Sequence, residues 1–152
     1  MPKPLVFMMG KTPVFLPADR RYARNHMWAE PADGALRWGF SAYAVKLLGA
    51  VRHLEWSIRE GDAVAPDQPI GYIEASKATS DLYAPMAGQC TQINQDVLGR
   101  PELINTNLYD SAWLLAVSGS PGALLSPEEY LAFLEAAWPL AQRLLKGQLG
   151  RS

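Results

Sequence analysis

The chain has 152 residues, 49% of them hydrophobic and 19% charged, with a formal net charge of −1 at neutral pH. That length supports one domain with an appendage and a real core, and the composition is too apolar for a disordered chain. The charge balance argues against a nucleic-acid partner or an anionic membrane surface, no apolar run reaches transmembrane length, and the single cysteine, Cys90, leaves no internal disulfide. Leu5 to Met9 is shorter than a signal-peptide core and no A-x-A-like site closes it, so a cytoplasmic protein is expected.

Residues 1–19 carry four prolines (Pro2, Pro4, Pro13, Pro17) and read as an extended arm, with one edge strand at Val14 to Leu16. Tyr22 to Trp28 reads as a short strand, Pro31-Ala32-Asp33-Gly34 as a turn, and the alternating Leu36 to Phe40 as the returning strand. Ser41 is placed as the N-cap of a helix over Ala42 to Leu48, with Gly49 just past its end. Val51 to Trp56 is a strand, and Glu60-Gly61-Asp62 is a turn. Val64 and Ile70 lead into a hairpin whose arms are Ile70 to Ile73 and Leu82-Tyr83. The small polar run Ala75 to Ser80 is its turn, which places Lys77 near the tip. Pro85-Met86-Ala87-Gly88 turns the chain again, Gln89 to Asn94 is a strand, Gly99 to Asn107 is a loop, and Trp113 to Val117 is the last strand. The C-terminal segment then changes to helical spacing. Ser126, Pro127 and Glu129 form an N-cap, a proline at the first helical position and a capping-box acid, and Tyr130, Leu131, Phe133, Leu134 and Trp138 follow. Pro139 predicts a break, with a second piece over Leu140 to Lys146 at an angle. The expected fold is mainly β with peripheral helices, a small barrel or sandwich. It is divided into an extended N-terminal arm (1–19), a central β domain (20–120) and a helical extension packed on the same domain (121–152).

Catalytic constellations are sparse. His26 and His53 stand apart with no Cys/His pair at metal-ligand spacing, and acidic residues are scattered singly. There is no phosphate loop, nucleophile elbow or H-E-x-x-H. A non-catalytic protein is expected. His26 reads as a structural hydrogen-bonding residue, Trp28, Trp38, Trp56 and Trp113 as core, and Cys90 as a buried small hydrophobe. The apolar face of the C-terminal helix is expected to pack on the barrel. Most turn lysines are simply solvated. The functional reading of Lys77 is a lysine presented for covalent modification, because an acylated amine is neutral and its four-carbon stem lets a cargo swing. An outside ligase would have to recognise the hairpin and supply an activated acyl group.

Three stretches together resemble the attachment region of lipoyl domains: Glu60-Gly61-Asp62-Ala63-Val64, Ile73-Glu74-Ala75-Ser76-Lys77-Ala78 and Ala84-Pro85-Met86-Ala87-Gly88. Biotin carriers typically set the lysine between two methionines; Ser76 and Ala78 flank it here, which favours lipoate. Tyr22 with His26 and Trp28, Gly39 to Ala44 followed by Leu48-Gly49, and Pro101 to Asn105 with Tyr109 and Trp113-Leu114 narrow the resemblance to the H protein of the glycine cleavage system. These matches run in order from about Tyr22 to Val117.

The resemblance implies a flattened, lipoyl-domain-like β-barrel or sandwich (a barrel-sandwich hybrid) with lipoate on Lys77. Glu74, Ser76, Ala78 and Asp81 would surround the arm, and His26 and Met27 would belong to the cleft that shelters it. It implies a shuttle rather than a catalyst. Glycine decarboxylase loads an aminomethyl group onto the arm, a folate-dependent aminomethyltransferase removes it, and dihydrolipoamide dehydrogenase reoxidises the dithiol; a lipoate ligase or lipoyl transferase attaches the arm. Three positions depart from the pattern. Met27 stands where the family typically has a Glu that helps hold the loaded amine, and a thioether cannot pair with an ammonium. Leu47 occupies a position that is His in some members, and Ser76 replaces the usual Val. Met27 leaves open an H-like carrier for another pathway, such as sulfur oxidation. Ala75 and Ser76 leave open an interaction module that has lost the modification.

Overall fold

The computed structural model describes residues 3–149, with side chains described through Leu144. The first two residues of the expected arm and the last three of the expected extension lie outside the described residues.

The chain begins with a hairpin rather than an extended arm. Strands β1 (Leu5–Met9) and β2 (Thr12–Leu16) pair antiparallel from Leu5↔Leu16 to Met9↔Thr12. Strand alternation explains the correction: Phe7, Val14 and Leu16 share a buried face, while Val6, Met8 and Phe15 are exposed on the other. Pro13 is tolerated because β2 has a partner on one side only.

The stretch expected as one strand from Tyr22 to Trp28 is two strands, β3 (Arg21–Tyr22) and β4 (Met27–Ala32), around a tight turn. Ala23 N–H donates to the Met27 carbonyl at 2.8 Å, and the Asn25 side-chain oxygen accepts from Met27 N–H at 3.2 Å. His26 completes the turn at φ 69°, a region that histidine enters more readily than most side chains. Strand β5 (Ala35–Phe40) and helix α1 (Ala42–Leu48) follow as expected, with Ser41 Oγ accepting from Ala44 N–H at 3.3 Å. Next come β6 (Val51–Trp56), β7 (Ala63–Val64), β8 (Pro69–Ala75), β9 (Thr79–Tyr83) and β10 (Gly88–Ile93).

Between Ile93 and the last strand the chain forms two short helices, α2 (Gln95–Gly99) and α3 (Leu103–Thr106), the second inside the stretch expected to be loop. Pieces this short show no helical period. Asn94 starts α2 by accepting from Asp96 N–H at 3.1 Å, and each helix buries one apolar anchor, Val97 and Ile104. Strand β11 (Leu115–Ser118) closes the sheet.

Beside the two-stranded β1-β2 hairpin, two antiparallel sheets form among the described residues, in the orders β3-β4-β5-β11-β10-β7 and β6-β8-β9. The main core between them includes Trp38, Leu54, Ile73, Leu82, Cys90 and Val117, all buried. Strand β4 serves two cores through its period of two: Met27 and Ala29 face the main core, and Trp28 faces a second, aromatic one. Trp28 lies across its cross-strand partner Gly39, where a Cβ would stand 2.6 Å from the indole ring. Only glycine fits beneath that ring.

Helix α4 (Pro127–Leu149) opens on the expected reciprocal cap, Ser126 N–H to Glu129 Oε1 at 2.9 Å and Glu129 N–H to Ser126 Oγ at 3.1 Å. It runs unbroken past Pro139, contrary to the predicted break. A proline removes its own bond to the carbonyl four residues back and its ring crowds that carbonyl, which kinks a helix without having to end it, since its φ already suits one. Packing holds the helix up to this point, while Pro139, Leu140 and Leu144 beyond it are exposed. Tyr130 and Leu134 are buried, and Trp138, two turns beyond Tyr130, sets its ring edge-on to Phe7 and Tyr43 at 6.3 and 6.2 Å. The helix therefore covers the N-terminal hairpin and β3.

Candidate attachment site and its clefts

Strands β8 and β9 meet in the turn Ser76-Lys77-Ala78, closed by Ala75 N–H donating to the Ala78 carbonyl at 2.9 Å. The tip leans on the link between α1 and β6. Lys77 N–H donates to the Leu48 carbonyl at 2.9 Å, and Ser76 N–H donates to the Ala50 carbonyl at 2.8 Å. Ser76 Oγ accepts from Ala50 N–H at 2.9 Å. Gly49 makes that approach possible: its φ is 86°, and a Cβ there would collide with Ser76 Oγ and come within 2.9 Å of Lys77 Cγ. Asn105 of α3 grips the same link from the other side, donating to the Gly49 carbonyl at 2.9 Å and accepting from Val51 N–H at 2.8 Å. Each such bond contributes only about 0.5–1.5 kcal/mol, so their joint effect is positional. The Lys77 backbone is fixed while its side chain is exposed.

Three clefts open around this tip. The α3 cleft, ≈ 390 Å³, is lined by Ala42, Val45, Lys46, Gly49, Lys77, Asn105 and Leu108. The β9 cleft, ≈ 330 Å³, is lined by Asn25, His26, Phe40, Ala44, Leu47, Leu48, Ala78, Thr79 and Ser80. The hairpin cleft, ≈ 170 Å³, is lined by Met9, Thr12, Lys46, Leu47, Lys77 and Trp138.

The β9 cleft is electrically quiet around His26. Burial lowers the His26 imidazole to about 4, so it is uncharged at neutral pH. Its Nδ1 lies 2.9 Å from the Tyr130 hydroxyl, which lies 2.7 Å from Ser41 Oγ. Burial pushes the Tyr130 phenol far up and Tyr109 up to about 12, so both keep their protons; the Tyr109 oxygen accepts from Ala42 N–H at 2.8 Å. This network ties α1 to α4 and holds His26 at the edge of the cleft.

The structure separates the residues that the sequence grouped. Ala78 lines the β9 cleft together with His26, and Lys77 lines the other two. Ser76 is an anchor of the tip rather than a wall of the cleft. Glu74 and Asp81 are exposed and belong to none of the three linings, although Tyr83 donates toward Asp81 Oδ2 at 3.5 Å. Met27 departs furthest from expectation: it is 3% exposed, packed in the main core, and lines none of the three clefts. The turn before β4 is the reason, since it sets His26 against Tyr43, Tyr130 and Phe133 and starts the strand with Met27 facing the main core. Asn105 and Asn25 acquire roles that local sequence could not assign, because their partners lie 56 and 58 residues away.

A sandwich of two antiparallel sheets that presents one lysine on a braced hairpin is the architecture of a covalent carrier module. Residues 20–137 match the glycine cleavage H-protein family. A probable glycine cleavage system H protein from Natronomonas pharaonis is 38% identical over 120 residues, spanning 77% of this chain and 94% of that protein. The glycine cleavage system H protein of Rubrobacter xylanophilus is 40% identical over 122 residues, spanning 79% and 95%. The crystal structure of a glycine cleavage system H protein from Mycobacterium marinum matches with a TM-score of 0.70 at 31% identity, spanning 77% of this chain and 97% of that one. The chain belongs to the glycine cleavage H-protein family. It is thereby a non-catalytic lipoyl-carrier component of the glycine cleavage system.

Proposed function

We propose that Lys77 is the residue that carries the lipoyl arm and that the β9 cleft shelters the arm when it is loaded. The observation that carries the reading is the bracing of the tip: four hydrogen bonds, two from Ser76 and Lys77 N–H groups, one to Ser76 Oγ and one from Asn105, converge on Leu48-Gly49-Ala50 while the lysine side chain stays exposed. A ligase meets one fixed backbone shape there, and the acylated stem is free to swing. The surroundings fit lipoate, since Lys77 lines two clefts with apolar side chains, Val45 and Leu108 in one and Met9, Leu47 and Trp138 in the other, and Ala78 beside it lines the β9 cleft with Phe40, Ala44, Leu47 and Leu48.

Lipoate, when attached, supplies a disulfide that can be opened, loaded and closed again. The chain's own residues do the rest. Phe40, Ala44, Leu47 and Leu48 exclude water from the cleft, which strengthens polar contacts inside it. The side chains of Asn25, Thr79 and Ser80 offer oxygen acceptors to a cationic cargo. His26, kept neutral by burial, adds no repelling charge. Lipoate ligase or lipoyl transferase, glycine decarboxylase, aminomethyltransferase and dihydrolipoamide dehydrogenase are the partners this role requires. A cytoplasmic location is part of the proposal, in keeping with the free thiol of Cys90; fractionation of native cells tests it. Among the described residues no helix is long and apolar enough to cross a membrane.

The test is the intact mass of the protein from its own cells, with peptide mapping. One lipoyl group on Lys77 is the expected result. An unmodified Lys77 in cells whose other lipoyl proteins are loaded would sink the reading, and a biotin adduct would move the protein to carboxylases.

A further inference from the structure

We propose that the N-terminal hairpin and Trp138 build a second resting place for the acyl arm, used when the arm bears no positive charge. The inference rests on Lys77 being the attachment residue. Met9 and Thr12 lie before the stretch that matches the family and Trp138 one residue past its end, so half of the lining of the hairpin cleft comes from outside that stretch. Lys77 itself lines it, so the arm enters without leaving the surface.

Size and chemistry narrow the occupant. At ≈ 170 Å³ the cleft is well below the roughly 300 Å³ where pockets for free drug-sized ligands begin. A nucleotide does not fit; a small ring on a methylene chain does. Met9, Leu47 and Trp138 form an apolar wall, and sulfur against an aromatic ring is a favourable contact. The wall is stiff: Trp138 is held edge-on by Phe7 and Tyr43, and Phe7 is 5% exposed.

Charge separates this berth from the β9 cleft. The hairpin cleft has Lys46 on its rim in addition to Lys77, and no acidic lining residue. It therefore repels an ammonium and accepts a neutral ring. The β9 cleft has no cationic lining residue at neutral pH and offers side-chain oxygens. Leu47 stands between the two, lining both. Leu47 thus divides two berths sorted by the charge of what the arm carries; the α3 cleft shares Lys46 and Lys77 with the hairpin cleft but lacks its wall of Met9 and Trp138.

The experiment uses the full chain lipoylated on Lys77 by a lipoate ligase with lipoic acid and ATP, checked by mass. NMR signals of the Trp138 indole N–H and the Met9 methyl are compared with those of the unlipoylated chain. The rate at which a phosphine reductant opens the ring disulfide is then measured for the wild type, Trp138→Ala and Thr12→Tyr. Thr12 is exposed, so Thr12→Tyr fills the cleft without touching a core even if Trp138→Ala unfolds. Both signals are expected to move on lipoylation, and Thr12→Tyr is expected to speed reduction several-fold. Unmoved Trp138 and Met9 signals with shifts at Phe40 and Ala44 would place the neutral arm in the β9 cleft and overturn the inference. A Thr12→Tyr rate equal to wild type would overturn it too. If the ligase loads a control lipoyl domain but leaves Lys77 bare, the attachment reading itself fails, a result the mass reports before any cleft is probed.

Discussion

The two cores of this molecule solve different problems. The main core, between the sheets, is largely aliphatic and fills space; it holds up the hairpin that ends in Lys77. The second core is aromatic and polar. Tyr22 and Tyr130 stack at 4.5 Å with their rings parallel to within 1°, and Arg20 lies 4.5 Å over Trp28 and 5.5 Å over Tyr109 while pairing with Glu30 at 3.2 Å. Ser41, fully buried, meets the Tyr130 hydroxyl there. An aliphatic core tolerates reshuffling at constant volume. A polar aromatic core does not, because each hydroxyl left without a partner costs about 1–3 kcal/mol. Both cores hold α1, Val45 and Leu48 in the first and Tyr43 in the second, and the second adds the polar ties at Ser41 and Ala42; the lysine tip leans on the end of α1.

The largest effect is expected in neither core. Lys77→Arg keeps the charge but offers no amine that forms the lipoyl amide, so the lipoyl mass should vanish entirely while thermal unfolding stays unchanged. A parallel drop in stability would show that the tip, not the amine, had been damaged. Next is Trp28→Ala, which empties the centre of the second core and should cost about 3–5 kcal/mol in urea unfolding. A cost below about 1 kcal/mol would mean that the aromatic core is not the rigid partner described above.

Acid should expose the second core more than the first. His26 has a folded-state value of about 4 against an ordinary 6.5, so between these values the unfolded chain binds the proton and the folded chain does not. Stability conferred by neutral His26 is complete above pH 6.5 and is lost as the pH falls toward 4, by on the order of 3 kcal/mol. Urea midpoints at pH 7 and pH 4.5 measure it. His26→Asn, which tolerates the positive φ, should flatten that part of the slope; an equally steep slope in the variant would assign the acid sensitivity elsewhere. The smallest effect belongs to Ser76→Ala, about 0.5–1.5 kcal/mol before allowance for its exposure. Its sharper signature is faster hydrogen exchange of the Ala50 amide, which loses its acceptor.

What could be read from residue order alone was whatever a few neighbours decide. Helix α1 with Ser41 before it and Gly49 after it, the reciprocal Ser126–Glu129 cap and the turn at Lys77 all lie within short windows of chain, and all are where the pattern put them. The motif resemblance then led to Lys77 and to the family. The N-terminal hairpin was obscured by its prolines, and α2 and α3 by their brevity. The unbroken α4 was hidden because an interior proline reads as a break, while Trp138 just before it packs on Phe7 and Tyr43, far away in sequence.

The site divides in the same way. That a lysine stands on a β-turn between two apolar runs was written in the sequence, because turn chemistry and alternation are local. That Met27 packs in the main core while His26 lies against Tyr43, Tyr130 and Phe133 depended on the two cores that meet at β4. That Asn105 grips Gly49, and that Met9 and Trp138 wall a cleft beside Lys77, required the folded chain. Hydrogen bonds and cleft walls join groups that residue order keeps far apart, and only the packing of the two cores brings them within reach of one lysine.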